Sequence, residues 1–173
     1  MPRLSLRQVR AIAALPVMVL LVMPMILLFT TRSVKIGWSL LTPWALAPTG
    51  IGILLAVAGG VLLANTVSLF IRRGRGTLAP WDPTQRLVVQ GVFRHVRNPM
   101  ISGVLGVLLG EAIFFGSWPL ALWWGFFLGG NLLYIPLSEE PGLVKRFGVE
   151  YEEYRRHVPA WIPRRRPWTP GEE

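Results

Sequence analysis

The sequence has no cysteine, and its 9 acidic residues stand against 18 lysines and arginines. Without cysteine the chain has no disulfide framework, no thiolate metal site and no cysteine nucleophile. The histidines, His95 and His157, number only 2, which is too few for a histidine-rich metal centre. Charged residues are also scarce, because they make up 16% of the chain, far less than a solvated soluble surface carries.

Apolar residues, in contrast to charged ones, are abundant. They make up 52% of the 173 residues, and the mean hydropathy is +0.46. This composition is too apolar for an ordinary soluble domain, and the length allows one compact unit. We therefore predict an all-α, polytopic membrane protein with a single domain over residues 1–173.

Long uncharged runs define the expected membrane spans. Crossing the hydrocarbon takes about 20 apolar residues. The runs predict about four transmembrane helices, over residues 11–31, 48–71, 99–116 and 118–137. The first run is longer than the roughly 7–15 apolar residues of a signal peptide, so we expect it to be retained. Pro16 and Pro24 are expected to kink it. In the second span, Gly52, Gly59 and Gly60 are expected to allow close helix approach.

The basic residues cluster between the apolar runs. Sixteen of the 18 lie in the N-terminus, the loop 72–98 and the tail 138–173, whereas Arg32 and Lys35 lie in the first loop. The positive-inside rule then places both termini in the cytoplasm and the protein in the inner (cytoplasmic) membrane. We expect membrane lipids, and not nucleic acid, as partners of these charges. Arg164–Arg166, with Trp161 and Trp168, are predicted to bind lipid headgroups.

The stretch Gly91–Gly103, GVFRHVRNPMISG, sets two arginines at the start of the third span. Arg94 and Arg97 are three residues apart and share one face of a helical turn, and Pro99 suits the first position of a helix. Fixed positive charge at a membrane surface needs an anionic neighbour. The stretch is therefore either a plain stop-transfer signal or a place for lipid phosphate or a ligand carboxylate.

A second polar motif follows the fourth span. Adjacent carboxylates, Glu139 and Glu140, precede a helix with an apolar and aromatic stripe at spacings of three and four. The stripe consists of Leu143, Phe147, Tyr151, Tyr154 and Val158. We predict one amphipathic cytoplasmic helix that packs against another part of the protein.

Two polar residues fall inside the predicted spans. Glu111 is either a carboxylate at headgroup level or, as an intramembrane acid, a functional group. Asn131 either makes an interhelical hydrogen bond or contacts a substrate.

Three separated motifs now carry a family resemblance. They are GRGT-LAPWDP, LVVQGVFRHVRNPMISG and SEEPGLVKRFGVEYEEYRRHVPAWIP, within residues 74–163. In this order they resemble the superfamily of isoprenylcysteine carboxyl methyltransferases and phospholipid methyltransferases, which are integral membrane enzymes. The resemblance implies S-adenosylmethionine as cofactor, bound at the cytosolic face by the Arg-(His/Asn)-Pro motif and the paired-glutamate helix. It also implies a lipophilic small-molecule or lipid substrate that enters from the bilayer.

The resemblance carries over to individual positions of this sequence. The implied cofactor-binding residues are Arg97, Asn98, Pro99, Gly103, Glu139, Glu140, Leu143, Tyr151 and Tyr154, with Phe147 and Gly148 in the same motif. Ile101 stands where the family often has a tyrosine, and Asn98 replaces the histidine of the prenylcysteine enzymes. These departures weaken any inference that the acceptor is a prenylcysteine.

The residue types suit methyl transfer, which mainly requires that two reactants be positioned and water excluded. Arg97 would bind the donor's carboxylate, Glu139 or Glu140 its amine and ribose hydroxyls, and Tyr151 or Tyr154 its adenine ring. Catalytic candidates for taking a proton from the acceptor are Glu111, His95 and the glutamate pair, while Arg94 and Asn131 are candidates for binding the substrate.

A different class of protein also fits part of the pattern. A small four-helix transporter, or an accessory membrane protein without chemistry, would use Glu111 as a coupling carboxylate. Such a protein needs no tail with paired acids and a tyrosine stripe, so we favour the enzyme. The acceptor stays open among a prenylated thiol or carboxylate, a phospholipid amine, a small thiol and a quinone-like lipid.

Overall fold

The computed structural model describes residues 15–39, 44, 46–73 and 87–171. In these residues all regular structure is helical and there is no β-strand, which confirms the all-α prediction. The helices are α1 (Leu15–Thr31), α2 (Leu46–Arg73), α3 (Pro99–Phe115), α4 (Trp118–Tyr134), α5 (Glu140–Phe147) and α6 (Val149–His157), with short 3₁₀ turns at Ile36–Ser39 and Gly91–Arg94.

Two of the described helical stretches are long and apolar enough to cross a membrane, Leu46–Leu69 and Trp118–Phe147. Helices α1 and α3 are apolar but shorter. The predicted spans 48–71 and 99–116 coincide with α2 and α3 to within two residues, and the predicted fourth span starts with α4 at Trp118. A count of four spans stays a prediction. Residues 11–14 of the first predicted span, the N-terminal arginines and residues 74–86, with the GRGT and LAPWDP motifs, lie outside the described residues.

Each of two prolines is preceded by a π-helical turn. Proline has no N–H, and its ring crowds the carbonyl four residues earlier. Before Pro24 the amide of Met23 donates to the Met18 carbonyl, and before Pro141 the amide of Glu140 donates to the Ile135 carbonyl. These wider turns let the helix pass the proline. The last long helix consequently continues beyond residue 137 to Phe147 and carries both glutamates.

The first compact unit comprises residues 1–61 and 103–130. Its helices α2 and α3 meet backbone to backbone at glycines. A Cβ atom at Gly59 would lie 2.6 Å from the Gly103 carbonyl oxygen, and one at Gly110 would lie 2.6 Å from the Ala56 nitrogen. Gly52 is equally confined, whereas a Cβ at Gly60 would meet nothing within 4 Å. Close approach is thus confirmed at Gly52 and Gly59 and is wrong for Gly60.

The second compact unit comprises residues 62–102 and 131–173. Its core contains Tyr151, Tyr154, Val158 and Trp168, each at most 6% exposed. Partly buried Leu87, Val89, Leu143, Val144 and Phe147 pack against them. The predicted apolar and aromatic stripe therefore faces the interior of this unit, as expected.

Two details of the C-terminal prediction are wrong. The amphipathic segment is not one helix, because Gly148, with φ +55° and ψ −131°, separates α5 from α6. A backbone at this φ favours glycine. Trp168 does not lie among lipid headgroups either, because only 6% of it is exposed. Its ring stacks on His157, with centroids 5.2 Å apart and planes 7° apart.

Candidate active site

An ion pair between Arg97 and Glu140 forms the centre of the polar site in the second unit. Arg97 precedes α3, and Glu140 opens α5 just after the second π turn. The Nη1 group of Arg97 donates to Oε1 of Glu140, and the two side chains are 11% and 12% exposed. The same Nη1 lies 3.4 Å from the Tyr151 hydroxyl, which accepts from it. The Arg-Asn-Pro motif and the paired-glutamate motif are thus in direct contact.

The other carboxylate oxygen of Glu140 also has a cationic neighbour. Its Oε2 atom lies 3.5 Å from Nη1 of Arg155, a side chain that is 47% exposed. Glu140 is therefore engaged on both oxygens. Glu139, by contrast, is exposed and has no salt bridge among the described residues, which leaves its carboxylate available to accept hydrogen bonds.

The two tyrosines of the site are buried hydrogen-bonding groups. The Tyr154 hydroxyl donates to the Phe93 carbonyl at 2.7 Å, and burial raises the pKa of Tyr154 above its ordinary value near 10. Burial and the nearby Glu140 charge raise the pKa of Tyr151, against the opposing effect of Arg97. Both phenols therefore stay protonated at neutral pH. Each residue is only 3% exposed, so its ring is used in packing, and a ring contact to adenine stays a prediction.

Asn98 lies at the N-cap of α3, where its carbonyl accepts from the amide and hydroxyl of Ser102 at 3.0 Å. Its side-chain Nδ2 group and the neighbouring Nε group of Arg97 are buried and have no hydrogen-bond partner in the described structure. Buried N–H groups without partners are costly. These donors on two consecutive residues therefore each need an acceptor, such as a carboxylate oxygen or a ring nitrogen.

Arg94 and His95 are occupied by the C-terminal tail. Arg94 donates through Nε to the Trp168 carbonyl at 2.8 Å and through Nη2 to the Thr169 hydroxyl. Nδ1 of His95 lies 2.8 Å from the Arg164 carbonyl. A carbonyl oxygen only accepts, so Nδ1 carries the proton, and in the neutral ring Nε2 is the basic nitrogen. Roles for Arg94 in substrate binding and for His95 in catalysis stay predictions.

The remaining predicted site residues are placed as follows. Pro99 is buried as the first residue of α3, Leu143 packs against the tyrosine core, and Asn131 is half-buried in α4. Gly103 and Glu111 belong to the first unit. Glu111 is half-buried, and its Oε2 atom has no hydrogen-bond partner in the described parts of the chain.

Sequence reasoning missed some members of this site. Arg155 follows Tyr151 by one helical turn, so helical periodicity could have placed it near Glu140. The contacts of Arg94 with Trp168 and Thr169 join residues more than 70 positions apart. No pattern of neighbouring residues in the sequence predicts a contact between residues so far apart in the chain.

Comparison with known proteins covers the part of the chain that holds the Arg97–Glu140 pair of this polar site. A sequence profile of the phospholipid methyltransferase family matches residues 47–150, which include Arg97, Asn98 and both glutamates. The chain belongs to that family. This assignment confirms the resemblance seen in the motifs, and the family is one of integral membrane proteins, in keeping with the long apolar helices.

One curated protein that is similar to this chain is the "Protein-S-isoprenylcysteine O-methyltransferase" of Schizosaccharomyces pombe (strain 972 / ATCC 24843). The two are 34% identical over 77 residues, which are 44% of this chain and 33% of the relative. The matched part thus spans about a third of the relative's length. No solved structure matches the chain.

Proposed function

We propose that this protein catalyses methyl transfer from S-adenosylmethionine to a lipophilic acceptor in the membrane. The observation that carries the proposal is the buried Arg97–Glu140 pair with unpartnered N–H groups on Arg97 and Asn98. It lies within the part of the chain that matches the phospholipid methyltransferase family. The S. pombe relative's name supports a methyltransferase with a lipid-modified acceptor.

The residues present fit the proposed donor. S-adenosylmethionine has a carboxylate and adenine nitrogens that accept hydrogen bonds, and an amine and ribose hydroxyls that donate them. Arg97 Nε and Asn98 Nδ2 are buried donors that need acceptors, and the Glu139 carboxylate can accept. Glu140 holds the Arg97 guanidinium through Nη1 and leaves Nε–H to a ligand. This division of roles refines the expectation that either glutamate would bind the donor.

The chemistry asks little of the protein beyond binding and orientation. The donor supplies, when bound, a methyl group activated by a sulfonium. Holding two reactants in line can contribute about 7–11 kcal/mol to catalysis. If the acceptor must lose a proton, His95 presents Nε2 as a base because Nδ1–H is held by the Arg164 carbonyl. Glu111 is another candidate, since its Oε2 atom is buried without a partner in the described structure.

The decisive experiment measures donor binding by calorimetry on protein in nanodiscs. We expect binding of S-adenosylmethionine or of its demethylated product. Folded protein that binds neither would rule out the proposed enzyme. Incubation with labelled methyl donor and a total lipid extract, followed by identification of the labelled product, would then reveal the acceptor.

Topology is a separate part of the proposal. Four spans with both termini in the cytoplasm follow from the distribution of basic residues. Because the chain has no cysteine, single cysteines can be introduced cleanly. In intact cells an impermeant external thiol reagent should label Val34→Cys and leave Arg165→Cys unlabelled. Labelling of Arg165→Cys would contradict the proposed orientation.

Proton-coupled transport is the second candidate, and the unpartnered Oε2 atom of Glu111 is the observation in its favour. A transporter would lose uptake in proteoliposomes upon Glu111→Gln and would not bind the methyl donor. An enzyme that uses Glu111 as a base would bind the donor normally in the same variant and lose turnover.

A further inference from the structure

The C-terminal tail, residues 158–171, is bonded to the segment 93–98 that carries Arg97. Two contacts are reciprocal. The Trp168 amide donates to the Arg94 carbonyl at 3.0 Å while Arg94 Nε donates to the Trp168 carbonyl at 2.8 Å. The Arg164 amide donates to the His95 carbonyl at 3.0 Å while His95 Nδ1 donates to the Arg164 carbonyl at 2.8 Å.

The pairing continues through the site residues themselves. The amide of Arg97 donates to the Pro159 carbonyl at 2.9 Å, and the amide of Asn98 donates to the Ala160 carbonyl at 3.3 Å. After the 3₁₀ turn Gly91–Arg94, the backbone at residues 95–98 has no regular helix or strand to orient it. Its position before α3 is therefore set largely by these bonds to the tail.

Trp168 fastens the far end of the tail. It is 6% exposed and packs on Tyr154, whose hydroxyl bonds to the Phe93 carbonyl, and on His157. The Thr169 hydroxyl accepts from Nη2 of Arg94, so Arg94 donates hydrogen bonds to the tail through two of its groups. The family match ends at residue 150, so it includes Arg94 but neither Trp168 nor Thr169.

We propose that Trp168, assisted by Thr169, is a positioning residue of the donor site. It holds the tail against Arg94–Asn98, and the bound tail orients Arg97 and Asn98 toward the donor. The inference rests on the proposed function. It also assigns Arg94 to holding the tail, in place of contacting the acceptor.

Thermodynamic linkage between tail docking and donor binding gives a measurement that would not change if Trp168 had only a structural role. If tail docking favours donor binding, donor binding must favour tail docking by the same factor. In the full-length wild type, the demethylated donor should therefore slow hydrogen exchange at the four backbone amides whose hydrogen bonds join the tail to this segment. These are the amides of Arg97, Asn98, Arg164 and Trp168. Amides in α2, such as that of Val61, should not respond.

The central variant is Trp168→Ala in the full-length chain. It should raise the donor's dissociation constant roughly 5- to 50-fold, the size of a typical coupling between linked elements. Trp168→Phe keeps an aromatic ring in the core and should restore most of the affinity. The matched control is Ile162→Ala, a tail residue that is 80% exposed, and its affinity should equal that of the wild type.

Trp168→Ala removes a core side chain, so a milder variant keeps the test valid if that protein does not fold. Thr169→Val removes only the hydroxyl that Arg94 Nη2 bonds to. It should weaken donor binding about 2- to 10-fold, consistent with one modest hydrogen bond, and should leave the acceptor's KM unchanged.

The outcomes separate the inference from the proposed function. Wild-type protein that does not bind the donor overturns both. Wild-type binding, together with unchanged donor affinity in folded Trp168→Ala or in Thr169→Val, overturns the inference alone. So does exchange at the Arg164 and Trp168 amides that does not respond to the bound donor. Weaker donor binding in the variants, rescued by Trp168→Phe, supports it.

Discussion

Different kinds of contact hold the interior of each compact unit together. In the first, α2 and α3 approach until a Cβ at Gly59 would lie 2.6 Å from the opposing backbone. In the second, both ion pairs found in the described residues join α5 to its neighbours, and a tail without helix is held by backbone hydrogen bonds. Helices surrounded by lipid have no hydrophobic drive to associate, so close van der Waals packing must hold them.

This contrast shows where each unit is vulnerable. The first should be sensitive to added volume and indifferent to charge, whereas the second should be sensitive to the loss of single polar atoms. The predictions below test that contrast, from the largest expected effect to the smallest.

The largest effect is expected in the first unit from Gly59→Val. The new side chain would strike backbone atoms of Gly103 and Val107, which cannot move aside as a flexible side chain would. Overpacking of this kind costs about 1–3 kcal/mol and occasionally more, and this close contact should reach the upper end of that range. Reversible unfolding in mixed micelles measures it.

Gly60→Val is the matched control for Gly59→Val, since it places the same side chain one residue along α2, where a Cβ meets nothing within 4 Å. It should leave the free energy of unfolding nearly unchanged. Equal destabilisation by the two variants would show that the backbone contact at Gly59 is not the cause of the loss.

The next effect is that of Glu140→Gln in the second unit. The amide cannot balance the charge of Arg97, whose side chain is only 11% exposed. Losing a charge-assisted contact costs on the order of 1.5–3 kcal/mol, or about ten- to a hundredfold in donor affinity, because Arg97 is then misplaced. Calorimetry with the demethylated donor measures the loss, and Arg97→Ala should behave alike.

Arg155→Ala is the control for the ion pair, because it removes the 47% exposed partner that lies 3.5 Å from Glu140. An exposed pair contributes about 0–1 kcal/mol.

If both Glu140→Gln and Arg97→Ala bound the donor normally and lost only acceptor binding, the pair would belong to the acceptor site.

A smaller effect is expected from Tyr154→Phe, which removes the hydroxyl bonded to the Phe93 carbonyl at 2.7 Å. One buried neutral hydrogen bond contributes about 0.5–1.5 kcal/mol to stability. Thermal unfolding of the purified variant at neutral pH should show this loss. An unchanged melting temperature would mean that water replaces the hydroxyl without cost.

The smallest effect is a difference in pH dependence. Burial raises the pKa of Tyr154 above its ordinary value near 10, so above that pH the unfolded chain loses a proton that the folded protein keeps. Stability should therefore fall as the pH rises beyond about 10. The fall should be shallower by one proton in Tyr154→Phe. Parallel pH profiles for the two proteins would contradict the assigned shift.

Much of the fold is local and was predictable. The uncharged runs predicted the helices, because a chain in hydrocarbon must satisfy its backbone groups within each helix. The spacing of Leu143, Tyr151 and Val158 predicted which face is buried. The break at Gly148 was not predicted, because the apolar period continues across it and masks the change of direction.

The candidate site was predictable in part. Arg97 and Glu140 lie at motifs that the sequence marks clearly, so both could be named as candidate binding residues for the donor, and the structure pairs them with each other. The role of Trp168 was misjudged. A tryptophan beside three arginines is typical of a membrane interface, and nothing local distinguishes that environment from a core.

The amino-acid sequence alone determined that this is a helical membrane protein of the phospholipid methyltransferase family, because hydrophobic length, charge and motif order are properties of neighbouring residues. Only the tertiary structure decided which N–H groups of Arg97 and Asn98 have a hydrogen-bond partner in the described structure and which have none. It also decided that the tail is hydrogen-bonded to the segment that carries Arg97 and Asn98. Hydrogen bonds between Arg94 and Trp168 join parts of the chain that approach only after folding, so no local pattern records them.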